Sequence, residues 1–182
     1  MISTTTILLM AALGQIMSAT VLQAANIQIS SLPFNITAPG TYVLTGNLTT
    51  SAFTAISISS MVSGPIILDL KGHTITGAGE SYNSNAVNIS GTSTNVYTIT
   101  VQNGTITGFA YGVSTGNSKG SELVAIKLSN LSISAAGVSV PTTAGFYIAF
   151  TANSTINDCA ISNSVYGIYD FDSAGGNTYA QS

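Results

Sequence analysis

The stretch "LDLKGHTITG" at residues 68–77 shares its Thr-Ile-Thr-Gly ending with "ITVQNGTITG" at residues 99–108. Aligning Ile75 with Ile106 reveals a column of aliphatic residues that recurs every 27 to 31 residues. Its members are Leu48, Ile75, Ile106, Ile133 and Ile161. Self-similarity with such a period is the signature of a repeat architecture, in which one short unit stacks on the next.

Further aliphatic columns flank the first one and predict strands. Five residues earlier stand Val43, Leu70, Val101, Leu128 and Ile156. Seven residues earlier stand Leu68, Ile99 and Ile126, and seven residues later stand Val113, Val140 and Ile168. Apolar residues two positions apart indicate strands with one buried face, and no long helical period follows the N-terminal segment.

A short bend separates the two strands of each unit. The column three residues before the first one reads Thr45, Gly72, Asn103, Asn130 and Asp158. Gly, Asn and Asp tolerate a left-handed backbone, and their side chains bond to their own turns. Asparagines stacked in such a bend predict a ladder of side-chain amides.

These units resemble the right-handed parallel β-helix proteins of the pectin-lyase-like superfamily. "LDLKGHTITG" and "ITVQNGTITGFAYGV" carry the resemblance, and "NDCAISNSVYGIYD" repeats it at residues 157–170. The resemblance implies an all-β fold, a right-handed parallel β-helix (solenoid) of about five coils, in a domain that spans residues 26–182. No capping helix is visible after Phe171, and an uncapped coil exposes unpaired strand edges. We therefore expect either that the repeat domain of residues 26–182 is truncated and continues in further coils, or that a partner subunit covers its C-terminal end.

The composition and the N-terminus predict a secreted or cell-surface protein. Charged residues make up only 5% of the chain, whereas roughly 25% is usual. Residues 1–25 combine an apolar stretch with small residues before Ala25, which predicts a secretory signal peptide and no membrane span. The alternative is an apolar helix that caps the β domain. With three lysines, no arginine and a net charge of −3, nucleic acid is not an expected partner.

One outer face of the predicted coil is a candidate surface for polysaccharide. Alternation along the strands places mixed polar side chains outward, and family enzymes bind sugars along one outer sheet. The candidate polysaccharide-binding residues are Asp69, Lys71, Thr100, Gln102, Lys127 and Asn157. The alternative is an ordinary solvated face, on which an exposed Asp–Lys pair stabilises by only about 0–1 kcal/mol.

The other predicted outer face carries hydroxyls. Thr74 and Thr76 in one unit match Thr105 and Thr107 in the next, and Ser132 and Ser134 follow. Parallel threonine columns resemble the flat arrays of β-helical ice-binding proteins, so ice binding is a third candidate function. Threonine is also simply a good strand residue.

Catalytic patterns are mostly missing from this sequence. The Asn-Thr-Asp, Gly-His-Gly and Arg-Ile-Lys motifs of polygalacturonases are absent, and so is the arginine base of a pectate lyase. The six acids are scattered, whereas a glycosidase needs two carboxyls across one bond. We therefore expect a non-catalytic module, structural or polysaccharide-associated. The alternative is a polysaccharide lyase or glycoside hydrolase whose missing acids lie in further coils.

Two late features remain open. Asp170 and Asp172 in "YDFDSAGGN" are the candidate calcium ligands, although a capped turn explains them too, and no other cofactor is expected. Aromatic residues also cluster late in the chain, where they serve either as sugar-stacking surfaces or as core. They are Phe109, Tyr111, Phe146, Tyr147, Phe150, Tyr166, Tyr169 and Phe171.

Overall fold

The computed structural model describes residues 25–59, 62–79, 83–91, 98–117, 123–134, 143–149, 151–171 and 175–180. Within these ranges the chain contains strands and no helix, so the predicted all-β class is confirmed there. Residues 1–24 of the predicted signal peptide lie outside them.

Eighteen short strands follow one another along the chain. They are β1 Ile27–Ile29, β2 Phe34–Ile36, β3 Gly40–Leu44, β4 Leu48–Thr49, β5 Thr54–Ile58, β6 Ile66–Asp69, β7 Thr74–Thr76, β8 Asn85–Gly91, β9 Ile99–Thr107, β10 Tyr111–Asn117, β11 Leu123–Val124, β12 Ile126–Ser134, β13 Ala144–Ala149, β14 Thr151–Ala152, β15 Thr155–Asn157, β16 Ala160–Ser162, β17 Tyr166–Phe171 and β18 Thr178–Tyr179.

All pairings between these strands are parallel, as predicted. A ten-stranded sheet has the order β1-β3-β6-β9-β12-β15-β18, with β4, β7 and β16 attached at its side. A six-stranded sheet has the order β17-β13-β10-β8-β5-β2, and β11 pairs with β14. Each successive unit therefore contributes a strand first to the ten-stranded sheet and then to the six-stranded sheet.

One hydrophobic core lies between the two larger sheets. Leu68, Val101 and Leu128 enter it from the ten-stranded sheet, and Val113 and Phe146 enter it from the six-stranded sheet. All five side chains are at most 2% exposed. Each Å² of apolar surface removed from water contributes about 25 cal/mol, so the burial of these side chains is the main stabilisation of such short strands.

The first aliphatic column is confirmed as predicted. Ile75 pairs with Leu48 on one side and with Ile106 on the other, and Ile133 pairs with both Ile106 and Ile161. Because every copy carries a large aliphatic residue at this position, only one register turns them all towards the core, where Ile75, Ile106 and Ile133 are buried.

The second and third columns were predicted wrongly at their N-terminal ends. Val101 pairs with Leu68 and not with Leu70, and Val43, which was predicted beside Leu70, pairs with Asp69. Ile66, and not Leu68, is the partner of Ile99. The predicted Val140 lies outside the described residues, and Phe146 is the partner of Val113.

A longer turn explains this register error. Asp69 pairs with Gln102, and Thr74 pairs with Thr105. The turn between Asp69 and Thr74 therefore contains two more residues than the equivalent bend, which consists of Asn103 and Gly104. Lys71 and Gly72 both have positive φ, and the turn is closed by a hydrogen bond of 2.8 Å from the His73 N–H to the Leu70 carbonyl. Leu70 is fully buried, but it lies in the turn and not in the strand.

Candidate functional site

Five of the six predicted polysaccharide-binding residues lie together on the outer side of the ten-stranded sheet. One row consists of Asp69, Gln102, Ser129 and Asn157, which are paired from β6 through β9 and β12 to β15. A second row, two residues earlier, consists of Thr100, Lys127 and Thr155. We call these two rows the polar face. Neighbouring side chains along each row are about 4.8 Å apart, since this is the spacing of paired strands.

The sixth predicted residue, Lys71, lies elsewhere. Its φ of 53° places it in the turn after β6, because the longer turn takes it out of the strand. Its Nζ is 3.9 Å from Asp69 Oδ2, and its side chain is more than half exposed, so this ion pair stabilises little.

Asp69 was predicted to be an exposed ligand, but it is only 8% exposed. Its Oδ1 accepts hydrogen bonds from the Lys71 N–H at 2.9 Å and from Asn103 Nδ2 at 3.1 Å. Its Oδ2 accepts one from Gln102 Nε2 at 3.2 Å. Burial acts to raise the pKa of Asp69, but these hydrogen bonds and the charge of Lys71 outweigh it and hold the pKa below its usual value of 3.8.

The predicted amide ladder is present in the bend and ends on this carboxylate. Asn130 Nδ2 donates to Asn103 Oδ1 at 3.0 Å, and Asn103 donates onward to Asp69. Asn103, Asn130 and Asp158 have φ between 52° and 59°, as expected of bend residues, whereas Thr45 is not among the residues with positive φ. A shallow cleft of about 390 Å³ runs along this bend past Gly104 and Asp158.

The predicted hydroxyl face is confirmed as an arrangement of side chains. Thr74, Thr105 and Ser132 are paired in one row, and Thr76, Thr107 and Ser134 are paired in the next. The threonines are half-buried, and Ser132 is exposed. On β16 the first row ends with Ala160, which is paired with Ser132, and the second row continues with Ser162, which is paired with Ser134.

The late aromatic residues divide between core and surface. Phe109 and Phe146 are buried, and Phe150 lies outside the described residues. The others lie on the outer side of the six-stranded sheet, on β10, β13 and β17: Tyr111, Tyr147, Tyr166, Tyr169 and Phe171. Tyr147 and Tyr169 stack with centroids 5.4 Å apart and planes 9° apart. The sequence left both sugar stacking and core packing open for these residues, but it did not predict that the exposed ones would form one cluster on this sheet.

Asp170 is the one candidate calcium ligand that lies among the described residues. Asp170 Oδ2 accepts hydrogen bonds from Asn177 Nδ2 at 3.2 Å and from the Tyr179 hydroxyl at 2.5 Å, while Asp172 lies outside the described residues. Burial raises the pKa of Tyr179, and Asp170 raises it further, so the phenol keeps its proton. Across the described ranges, no group of three or more His, Cys, Asp or Glu side chains could hold a metal ion.

Comparisons with protein-family models, with curated proteins and with solved structures find no match. In the part of the chain that the structure describes, no helix is long and apolar enough to cross a membrane.

Proposed function

We propose that the chain is a right-handed parallel β-helix of the pectin-lyase-like type that acts outside the cell as a non-catalytic, polysaccharide-binding module. One observation carries this proposal. The two rows of the polar face stay in register over three neighbouring strands. In one row Lys127 on β12 is paired with Thr100 on β9 and with Thr155 on β15. In the other row Ser129 is paired with Gln102 and with Asn157 on the same two strands. The regular alternation between two parallel sheets with one shared core supports the β-helix.

The polar face suits a polysaccharide because it repeats. Hydroxyl and amide groups follow one another at the strand spacing of about 4.8 Å, so each stretch of polymer meets the same kinds of donor and acceptor. Lys127 is exposed in the middle of this face, where an ammonium group attracts uronates and also donates to neutral hydroxyls. The cleft along Asn103 and Asn130 borders the face and extends the surface available to a chain of sugars.

The environment of Asp69 supports binding without catalysis. A general acid for glycoside hydrolysis must hold a proton near neutral pH, which requires a raised pKa. The pKa of Asp69 is instead lowered, and three donors occupy its carboxylate. Asp158, the next acid along the bend, follows β15, which is three strands away from β6, the strand of Asp69.

Secretion forms part of this proposal. The apolar residues before Ala25 and the low charge of the rest of the chain support export through a cleaved signal peptide. Expression of the full chain in a secreting host tests it. Mass spectrometry of the protein from the medium then shows cleavage close to Ala25, whereas uncleaved protein retained in the cells would contradict it.

Co-sedimentation of the full chain with insoluble and gelled polysaccharides tests the function, when the supernatant is assayed for newly released sugar ends. We expect at least one polysaccharide to remove the protein from solution and no ends to be released. Release of ends would show an enzyme instead, and the acids Asp69 and Asp158 would be the first targets. Absence of both binding and release would leave a purely structural coil.

The hydroxyl face favours a second candidate function. Thr74 is paired with Thr105 and Thr76 with Thr107, so two short threonine columns run side by side at the strand spacing of about 4.8 Å. Ser132 and Ser134 continue the columns with hydroxyls but without the methyl groups. Thermal hysteresis of the purified chain, compared with a Thr105→Asn/Thr107→Asn variant, tests ice binding. Hysteresis that the variant loses would support it, and no hysteresis would exclude it.

A further inference from the structure

The hydrophobic core is covered at its N-terminal end and open at its C-terminal end. Ile29 and Ile36, in the first described unit, are fully buried. Their counterparts near the other end, Ile161 on β16 and Ile168 on β17, are only partly buried. A cavity of about 380 Å³ lies there, and its lining includes Ile161, Ile168 and Gly167. We call this cavity the end socket.

The strands beside the end socket have a partner on one side only. β16 pairs with β12 and β17 pairs with β13, and no other described strand pairs with either of them. Val165, Phe171 and Tyr179 lie at the same end, and these apolar side chains are between 37% and 56% exposed. Unpaired backbone groups beside exposed apolar surface form a site at which a further strand can add to the sheet.

The preceding units show what kind of side chain the end socket can hold. A Cβ added at Gly112 on β10 would lie 2.7 Å from Ile133 Cδ1, which belongs to the following unit. A Cβ added at Gly145 on β13 would likewise lie 2.5 Å from Ile161 Cγ2. In each case an isoleucine packs directly over the glycine of the unit before it, where a larger residue would not fit.

Gly167 on β17 is the next glycine of this series, and its place is open. Among the described atoms, a Cβ added there would have only Ile161 Cδ1 within 4 Å, at 3.9 Å. The space that an isoleucine of a following unit would take is therefore part of the end socket. Interdigitation of a large side chain over a small one is the packing that the two preceding units already use.

The same units define the strand that fits. In three of them the isoleucine that enters the core has a hydroxyl residue on each side, and these hydroxyls remain on the outer face. The hydroxyl residues are Thr74 and Thr76, Thr105 and Thr107, and Ser132 and Ser134. A strand paired with β16 in this register would place its aliphatic residue beside Ile161 and a serine or threonine beside Ser162.

We infer that the end socket binds an extended strand of a partner protein, in which a large aliphatic residue is flanked by serine or threonine. The aliphatic side chain fills the space over Gly167, and the backbone of the strand pairs with the free edge of β16. Burial of apolar surface supplies the driving force, and backbone pairing sets the register. The end socket lies at the end of the coil and not on the polar face, so this inference does not depend on polysaccharide binding.

Fluorescence anisotropy of a labelled peptide, titrated with the full chain, tests this inference. The peptide copies residues 104–117 of this chain, which contain one Thr-Ile-Thr strand and the strand β10 that follows it. We expect it to bind. A peptide with Ile106→Ala should bind about ten-fold more weakly or worse, because it loses most of the apolar surface that the end socket would bury.

Gly167→Leu fills the end socket from within and should weaken binding of the peptide by about ten-fold or more. It should not lower the unfolding temperature, because a Cβ at Gly167 has room and Gly167 is not among the glycines with positive φ. Phe53→Ala is the matched control. Phe53 is 65% exposed and precedes β5, which is four strands away from β17, so this variant should bind the peptide as the wild type does.

The inference would be overturned if neither peptide binds, if the two peptides bind equally, or if Gly167→Leu binds as tightly as the wild type. A lower unfolding temperature of Gly167→Leu would overturn it too, by showing that the space over Gly167 is already filled. Self-association of the wild type that Gly167→Leu abolishes would also overturn it, because a second copy of the chain would then be the occupant. Each of these results leaves co-sedimentation with polysaccharides as a separate test of the proposed function.

Discussion

Asn103 donates its side-chain amide to the carboxylate of Asp69 at 3.1 Å, from the neighbouring strand of the ten-stranded sheet. This contact joins the first bend of the amide ladder to the one buried acid on the polar face. Asn130 continues the ladder on the other side of Asn103. The bend is therefore held by a charged acceptor, and charge-assisted hydrogen bonds are roughly twice as strong as neutral ones.

Asp69→Asn should lower the free energy of unfolding by about 1–3 kcal/mol, because the new amide group faces donors and leaves at least one of them unsatisfied. Chemical denaturation of the full chain measures this. Asp158→Asn is the matched control, since it makes the same change of charge at an exposed residue with φ of 52°, where asparagine is favoured. Equal effects of the two substitutions would contradict the role of Asp69.

Acid should remove the stabilisation by Asp69 in a defined pH range. The pKa of Asp69 in the folded chain lies below its usual 3.8, so its contribution is complete above pH 3.8 and is lost as the pH falls through the folded pKa. The difference in unfolding free energy between wild type and Asp69→Asn should therefore shrink as the pH falls below 3.8. A difference that stays constant over this range would show that the carboxylate is not stabilised by its donors.

Thr115→Val should destabilise the chain by about 1–3 kcal/mol although the shape of the side chain hardly changes. The buried Thr115 hydroxyl donates to the Ala149 carbonyl at 3.0 Å and accepts from the Ala149 N–H at 2.6 Å, and valine leaves both groups unpaired. Thr115→Ser keeps the hydroxyl and should recover most of the loss. If serine is no better than valine in thermal unfolding, packing and not hydrogen bonding explains the position.

Gly104→Ala should destabilise the chain by about 1–3 kcal/mol, because a Cβ at Gly104 would lie 2.4 Å from Leu70 Cβ. Gly46→Ala is the control, since nothing lies within 4 Å of a Cβ there. The same measurement tests the corrected register, in which Leu70 leaves the strand and packs against Gly104. Tolerance of Gly104→Ala equal to that of Gly46→Ala would contradict this packing.

The sequence allowed the parallel strands, the first aliphatic column and the amide ladder to be predicted, because each depends on a residue type that recurs in every unit. It did not distinguish Leu68 from Leu70 as the partner of Val101. Both are aliphatic and two positions apart, so alternation accepts either, and only the closed turn at Lys71 and Gly72 decides between them.

Two features of the surface were beyond prediction for a different reason. The alternation along β6 indicated that the Asp69 side chain points away from the core. It did not indicate that the side chains of Gln102 and Asn103 would hydrogen-bond to its carboxylate. The cluster of tyrosines on the outer side of the six-stranded sheet forms because Ala144 is paired with Tyr111 and with Tyr166, which are 33 and 22 residues away. These separations differ from the period of 27 to 31 residues, so an alignment of repeats does not bring the three residues together.

Face-specific substitution is the most direct test of the central claim, that the chain binds polysaccharide through its polar face. The exposed pair Lys127→Ala/Asn157→Ala should reduce co-sedimentation of the full chain with its polysaccharide by about ten-fold or more, as expected when a few contacts dominate binding. The exposed pair Ser132→Ala/Ser162→Ala on the hydroxyl face should leave it unchanged. Equal binding by the two variants, or a loss only in the serine variant, would contradict the account.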